Sequence, residues 1–265
     1  MVDARRWSHV AEAYRRSFAS LCAGTIPTIL ADLGSPTPGG LLDVGCGAGA
    51  LARAAAECGW TTTATDIDRD MLDLTRVECA GLPVPVMQTA LPQLGLAAGA
   101  HDAAVANFVV NHLPDPRAGV RDLARVVRPG GLVALTTWTN QRTAQAALFA
   151  DALEVAGARP VPGQRLPPEL DFERSVTGLA GITQQAGLEP VIARELRWTW
   201  AVPWPDLWAG ISGGVASIGE TYLAQDAATR DRVRQAMRDR VAELEVGGRV
   251  QLPSIAAYVV ARRPG

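Results

Sequence analysis

The sequence contains no lysine: its 25 basic residues are all arginine, set against 27 acidic ones. We read that absence as a bias of the coding background rather than as chemistry. A net charge of −2 and a pI of about 6.0 leave no positive field to draw the chain towards nucleic acid or an anionic membrane. Cysteine is scarce, and Cys22, Cys46, Cys58 and Cys79 show neither C-x-x-C nor a His-containing ligand spacing, so no metal site is expected. A chain this size does not need disulfides for its core, which favours reduced thiols in a cytosol. Long apolar runs are missing too, which excludes a membrane-spanning helix. The first fourteen residues carry Asp, Arg, Glu and Trp and lack the apolar stretch of a signal peptide. What remains is 265 residues, 48% hydrophobic, enough for one α/β domain with an elaboration.

Apolar spacing organises the chain. Val10, Tyr14, Phe18 and Leu21 make one stripe, predicting a helix over residues 3–33. After a Pro/Gly break, short apolar runs alternate with amphipathic stretches. Strands are predicted at 41–44, 60–65, 84–87, 103–110 and 132–137, with helices at 49–58, 69–79 and 116–127. Asp68 and Asp115 are placed as N-caps, with Pro116 at the first helical position. Strands alternating with helices argue a mostly parallel sheet covered on both faces. Further on, helices are predicted at 144–155 and 174–186 with a Pro-rich connection, 159–168, between them. A strand at 191–202, a mostly helical stretch at 204–246 and a last strand at 255–261 complete the pattern.

The central signal is the strand 41–44 running into Gly45-Cys46-Gly47-Ala48-Gly49. Glycine allows unusual dihedrals and lets a ligand approach without Cβ interference, and the helix behind presents free N–H groups to an anionic group. About 20 residues on, Asp66 ends the second strand, where a carboxylate can take both hydroxyls of a ribose. Gly45, Gly47 and Ala50 also fit the dinucleotide pattern of dehydrogenases, which is weak alone. Asp43 within an otherwise apolar strand, and the lack of a hydride-transfer acid triad, speak against that reading.

Four segments in order resemble the successive motifs of class I S-adenosylmethionine (SAM)-dependent methyltransferases: LLDVGCGAGALA (41–52), TDIDRDML (65–72), DAAVANFVVNHLPDP (102–116) and ARVVRPGGLVA (124–134). The likeness covers roughly residues 38–138. It is strongest to the ubiquinone/menaquinone-biosynthesis type and related bacterial small-molecule (natural-product) enzymes. It implies a Rossmann-like, seven-stranded, mostly parallel sheet with helices on both faces, its last strand antiparallel between its neighbours. Residues 1–37 are then expected to form a helical lid and 38–202 the SAM-binding core, with a lid segment at 139–188. Residues 203–248 would be a helical cap insertion and 249–265 the closing strand.

The resemblance also assigns roles. Gly45, Cys46 and Gly47 would line the methionine moiety of SAM and Asp66 would hold the ribose, while Ile67 and Met71 flank the adenine. Asn107 would offer its backbone carbonyl to the ammonium, and Tyr14 would close over the cofactor. One departure is visible: where the family usually has an Asp bonding the adenine amino group, this chain has Thr89, followed by Ala90 and Leu91. The resulting expectation is SAM-dependent methylation of a small, apolar or aromatic acceptor, with S-adenosylhomocysteine (SAH) as co-product. A non-methylating reaction on the same fold, such as a cyclisation, is the alternative.

Methyl transfer needs alignment rather than a metal, and a base where the nucleophile is a hydroxyl. His112, just past the fourth strand, is the candidate base; the competing reading makes it a packing residue at the next helix. His9 and His101 read as surface residues. Trp138, Trp198, Trp200, Trp204 and Trp208 could line a flat apolar pocket or cement the cap. The arginines of 230–240 alternate with acids and read as a solvated helix face. A small-molecule substrate, no nucleic acid, no membrane, and a monomer or homodimer are expected.

Overall fold

The computed structural model describes Trp7, residues 9–162 and residues 166–265. The predicted N-terminal helix falls partly outside these residues. Its described part is three helices rather than one, namely α1 (Ala11–Arg16), α2 (Phe18–Ala23) and α3 (Ile26–Leu33). Hydroxyl groups mark the breaks. Ser17 leaves helical dihedrals at φ −118°, ψ −94°, and its Oγ donates to the Ala13 carbonyl at 2.6 Å. Thr25 Oγ1 donates to the Cys22 carbonyl at 3.0 Å, and Pro27, which has no N–H, opens the next helix.

The core follows the predicted alternation: β1 (Leu41–Val44), α4 (Ala50–Glu57), β2 (Thr62–Asp66), α5 (Arg69–Glu78), β3 (Val86–Gln88), β4 (His101–Asn107), α6 (Pro116–Val126) and β5 (Val127–Trp138). Both predicted caps form, with Asp68 accepting from Met71 N–H at 3.0 Å and Asp115 from Ala118 N–H at 2.8 Å. The second half adds α7 (Ala144–Ala156), α8 (Val176–Gln185), β6 (Glu189–Val202), α9 (Trp204–Ser212), α10 (Ala216–Leu223), α11 (Ala227–Ala242), β7 (Glu245–Val246) and β8 (Arg249–Arg262).

The sheet order is β3-β2-β1-β4-β5-β8-β6, with β8 antiparallel to both β5 and β6. That is the expected topology with one addition. The two-residue β7 pairs with β8, so the sheet has eight strands rather than seven. Gly247 and Gly248, at φ 57° and 76°, make the two-residue turn that this hairpin requires. It extends the last strand well beyond the predicted 255–261.

Alternation along β1 sends Leu42 and Val44 into a core shared with α6 and α8, and Leu41 into one shared with α3 and α4. Each fully buried leucine here contributes about 1.5–3 kcal/mol. A separate core under the cap joins Trp200, Val202, Val250 and Leu252 to α7, α9 and α11. The chain winds outwards from β1 to β3 and then returns to place β4 on the other side of β1. That reversal opens a crevice at the carboxyl ends of β1 and β4.

Candidate active site

The glycine turn lies at this crevice. Gly45 and Cys46 N–H groups both donate to the Thr65 carbonyl, at 2.7 and 2.9 Å, which ties the turn to β2. Gly45 and Gly47 take left-handed dihedrals, at φ 69° and 55°. A Cβ on Gly45 would lie 2.5 Å from Val109 Cγ2, and one on Gly47 3.2 Å from the Tyr14 ring. The turn is therefore a backbone surface that side chains would fill.

Asp66 closes β2 and is 8% exposed. One carboxylate oxygen accepts the Gly47 N–H at 2.9 Å and the other the Asp68 N–H at 3.0 Å. Burial pushes its pKa up, while those two N–H groups pull it down. Asp66 thus braces the turn as well as presenting a carboxylate beside it. The Cys46 side chain packs into the small core of α4, α5 and β2, with Sγ 3.2 Å from Thr75 Oγ1.

Asp43, two residues before the turn, is 1% exposed, and its Oδ2 has no hydrogen-bond partner among the described residues. Burial, reinforced by the negative charge of Asp66, pushes its pKa from the ordinary 3.8 up to about 7. The fold therefore holds this proton more tightly than the unfolded chain does. Its stabilising contribution is full below pH 3.8 and is lost as the pH rises through about 7. Urea unfolding is expected to give falling stability across that window, and Asp43→Asn to flatten the fall. An unchanged slope in that variant would contradict the assignment.

Asn107 ends β4 with both ends of its amide hydrogen-bonded. Oδ1 accepts from Thr136 Oγ1 at 2.6 Å and, at 2.9 Å, shares the one Thr25 hydroxyl proton with the Cys22 carbonyl, to which Nδ2 donates at 3.1 Å. The amide therefore pins the α2–α3 junction onto the sheet.

One cavity of about 500 Å³ collects the predicted residues apart from Cys46. Gly45, Gly47, Asp66 and Asn107 line it with Ile67 and Met71. Thr89, Ala90 and Leu91 form a further stretch of wall, Thr89 Oγ1 donating to the Leu94 carbonyl at 2.8 Å and keeping lone pairs to accept with. Tyr14 and His112 complete the set. His112 lies in a 3-10 turn, Val110–His112, with Trp7 edge-on at 5.0 Å and Asn111 Nδ2 3.0 Å from its Nε2. Of the other histidines, His9 is exposed and His101 is half-buried rather than on the surface.

Sequence reasoning missed part of the wall: Phe18, Phe108, Thr139, Gln141, Arg142, Thr143, Gln145 and Ala146 after β5, and residues 215–218 before and within α10. Phe108 sits at φ 58°, held there by its N–H donating to Thr136 Oγ1 at 2.8 Å and by its ring stacking on Trp138 at 4.0 Å. Its place directly after Asn107, at a strand's carboxyl end, was the available signal. Of the five tryptophans singled out in the sequence, Trp138 lines the cavity, as Trp7 also does, whereas Trp198, Trp200, Trp204 and Trp208 pack in the core under the cap. Trp204 and Trp208, one helical turn apart, stack at 5.3 Å. Of the arginines expected on a solvated face of α11, Arg230 is half-buried and the others are exposed, Arg234 and Arg238 lying over the Trp208 and Trp204 rings at 5.8 and 5.6 Å. The four cysteines are free thiols.

A side-chain-free turn, a buried carboxylate at the neighbouring strand tip and apolar Ile67 and Met71 beside it suit an adenosyl amino acid. Residues 42–135 match the methyltransferase domain family. A ubiquinone biosynthesis O-methyltransferase of Bordetella avium is 36% identical over 157 residues, 57% of this chain and 62% of that protein. The match thus spans less than two thirds of that relative's length. In solved structures, YcgJ from Bacillus subtilis superimposes with a TM-score of 0.59 at 16% identity, covering 91% of this chain and 99% of that one. The [4+2]-cyclase SpnF gives 0.55 at 21% identity, covering 93% and 82%. Residues 42–135 thus belong to the methyltransferase domain family, and the chain takes the Rossmann-like fold of these structures.

Proposed function

We propose that this protein transfers a methyl group from SAM to a small, flat, largely apolar acceptor at oxygen, carbon or nitrogen, in secondary-metabolite or quinone-like biosynthesis. The observation that carries the reading is the single cavity, which joins the glycine turn and Asp66 to a wall containing Phe18, Phe108 and Trp138. Gly45 and Gly47 would receive the methionine moiety, Asp66 the ribose, Ile67 and Met71 the adenine faces, and the 89–91 stretch the adenine edge. The Asn107 carbonyl would take the ammonium. When bound, SAM supplies a methyl already activated on a sulfonium, so the protein's task is alignment and exclusion of water.

Residues 1–37 then act as a lid, with Tyr14 over Gly47, and residues 203–248 act as a cap. Stacked Phe108 and Trp138 hold the acceptor flat. His112 takes the acceptor's proton at Nε2, which exchanges Asn111 for the nucleophile. We place the protein in the cytosol as a monomer or homodimer acting on a small molecule. No helix among the described residues is long and apolar enough to cross a membrane.

Incubated with SAM and a panel of hydroxylated aromatic acceptors, the protein is expected to form SAH in step with methylated product. His112→Ala is expected to lower kcat by about 10²–10⁴-fold with SAM affinity kept. Consumption of an acceptor without SAH would select the cyclisation reading, since one fold hosts several chemistries. A lack of affinity for both SAM and SAH would sink the proposal.

A further inference from the structure

The charged groups on the cavity wall are unevenly placed. Among the described lining residues the carboxylate is Asp66, beside the glycine turn, and the permanent cation is Arg142. Arg142 follows β5, and β5 lies two strands from β1, about 10 Å along the sheet's carboxyl edge. Trp138, Thr139 and Thr143, its neighbours in the chain, line the same stretch and bring no negative charge to it.

From this placement we infer that Arg142 receives a carboxylate on the acceptor, so that the substrate is a planar aromatic acid held with its reacting atom turned towards the cofactor. The inference rests on the methyl-transfer reading and names the substrate class for it. The Arg142 guanidinium donates to the Asp151 carboxylate and the Ala147 carbonyl, at 3.0 and 3.4 Å, and would swing from them to meet a ligand. Its Nη2 lies 3.0 Å from Asp151 Oδ1, but the two side chains are 60% and 41% exposed, and an exposed pair holds weakly. Asp151 also faces Arg240 at 3.6 Å, so its charge stays compensated when Arg142 turns to a ligand.

The chemistry selects a carboxylate over a polyphosphate. A guanidinium fork matches one planar carboxylate with two parallel hydrogen bonds. A polyphosphate, with several charges, would be left largely unneutralised by one arginine. The stacked Phe108 and Trp138 supply the flat surface for the ring that carries the acid. An acid anchored in this way reacts at a different atom, because pairing with Arg142 withdraws electron density from the carboxylate itself.

The test is calorimetry on the SAH-saturated full chain. The probes are the hydroxynaphthoate with its two substituents on opposite rings and the neutral methyl ester of the same compound. The acid is expected to bind at least about tenfold more tightly than the ester, the usual worth of one charge-assisted contact. Arg142→Gln is expected to erase that preference while ester and SAH affinities stay unchanged, which also shows that the variant folds. Asp151→Asn, which releases Arg142, is expected to leave acid binding as tight or tighter. Equal binding of acid and ester, binding of neither, or an acid preference that survives Arg142→Gln would overturn the inference. Retained SAH binding in those cases confines the failure to the substrate class, whereas an unmodified protein that does not bind SAH sinks both readings.

Discussion

Asp66→Ala is expected to lose at least about a hundredfold in affinity for SAH, because two charge-assisted hydrogen bonds to ribose hydroxyls disappear together. The fold is expected to survive with a change of no more than about 2 kcal/mol. The variant leaves the Gly47 and Asp68 N–H groups without their carboxylate partner. It also removes a buried charge whose desolvation already pushes its pKa up. The two effects oppose each other. Asp66→Asn keeps one acceptor oxygen and is expected to fall between the parent and alanine. Calorimetric titration with SAH beside urea unfolding separates binding from stability. Parent-like affinity in Asp66→Ala would remove the ribose from this carboxylate.

Gly45→Ala is expected to damage both properties. The residue sits at φ 69°, where an L side chain costs about 1–2 kcal/mol. Its new Cβ would also lie 2.5 Å from Val109 Cγ2, an overpacking cost of about 1–3 kcal/mol. A stability loss of roughly 2–5 kcal/mol follows from these two terms, and the displaced turn is expected to lose SAH binding. Adding Val109→Ala relieves the clash and leaves the dihedral cost, so the double variant is expected to regain only part of the stability. Full recovery would mean that φ at this position carries no strain. Gly47→Ala carries a similar dihedral cost at φ 55° but a milder clash: its Cβ meets the edge of the Tyr14 ring at 3.2 Å, which a small movement of the helix can relieve.

The parts of this fold that were legible in the sequence are those fixed by local chemistry. The strand into the glycine turn, the Asp68 and Asp115 caps and the alternating core needed only neighbours in the chain to be read. The breaks at Ser17 and Thr25 were hidden because an apolar stripe continues across them. Tyr14, Phe18 and Leu21 still line one cavity although they lie on two helices. Cys46 shows a different limit. The motif fixes its backbone in the turn, but packing against Thr75 decides where the side chain goes. Residues 215–218 reach the cavity only through the docking of the cap, a long-range event with no sequence period. The side chain of Asn107 was likewise illegible, since its partners Cys22, Thr25 and Thr136 lie far away in the chain.

The account stands on a gripping geometry: bare backbone at residues 45–47 takes the amino-acid end of the cofactor while Asp66 takes its sugar. A crystal structure of the chain grown with SAH tests that directly. The expected density has both ribose hydroxyls on the Asp66 carboxylate and the amino-acid end against the turn; a vacant turn, or a nicotinamide nucleotide preferred there, would contradict it.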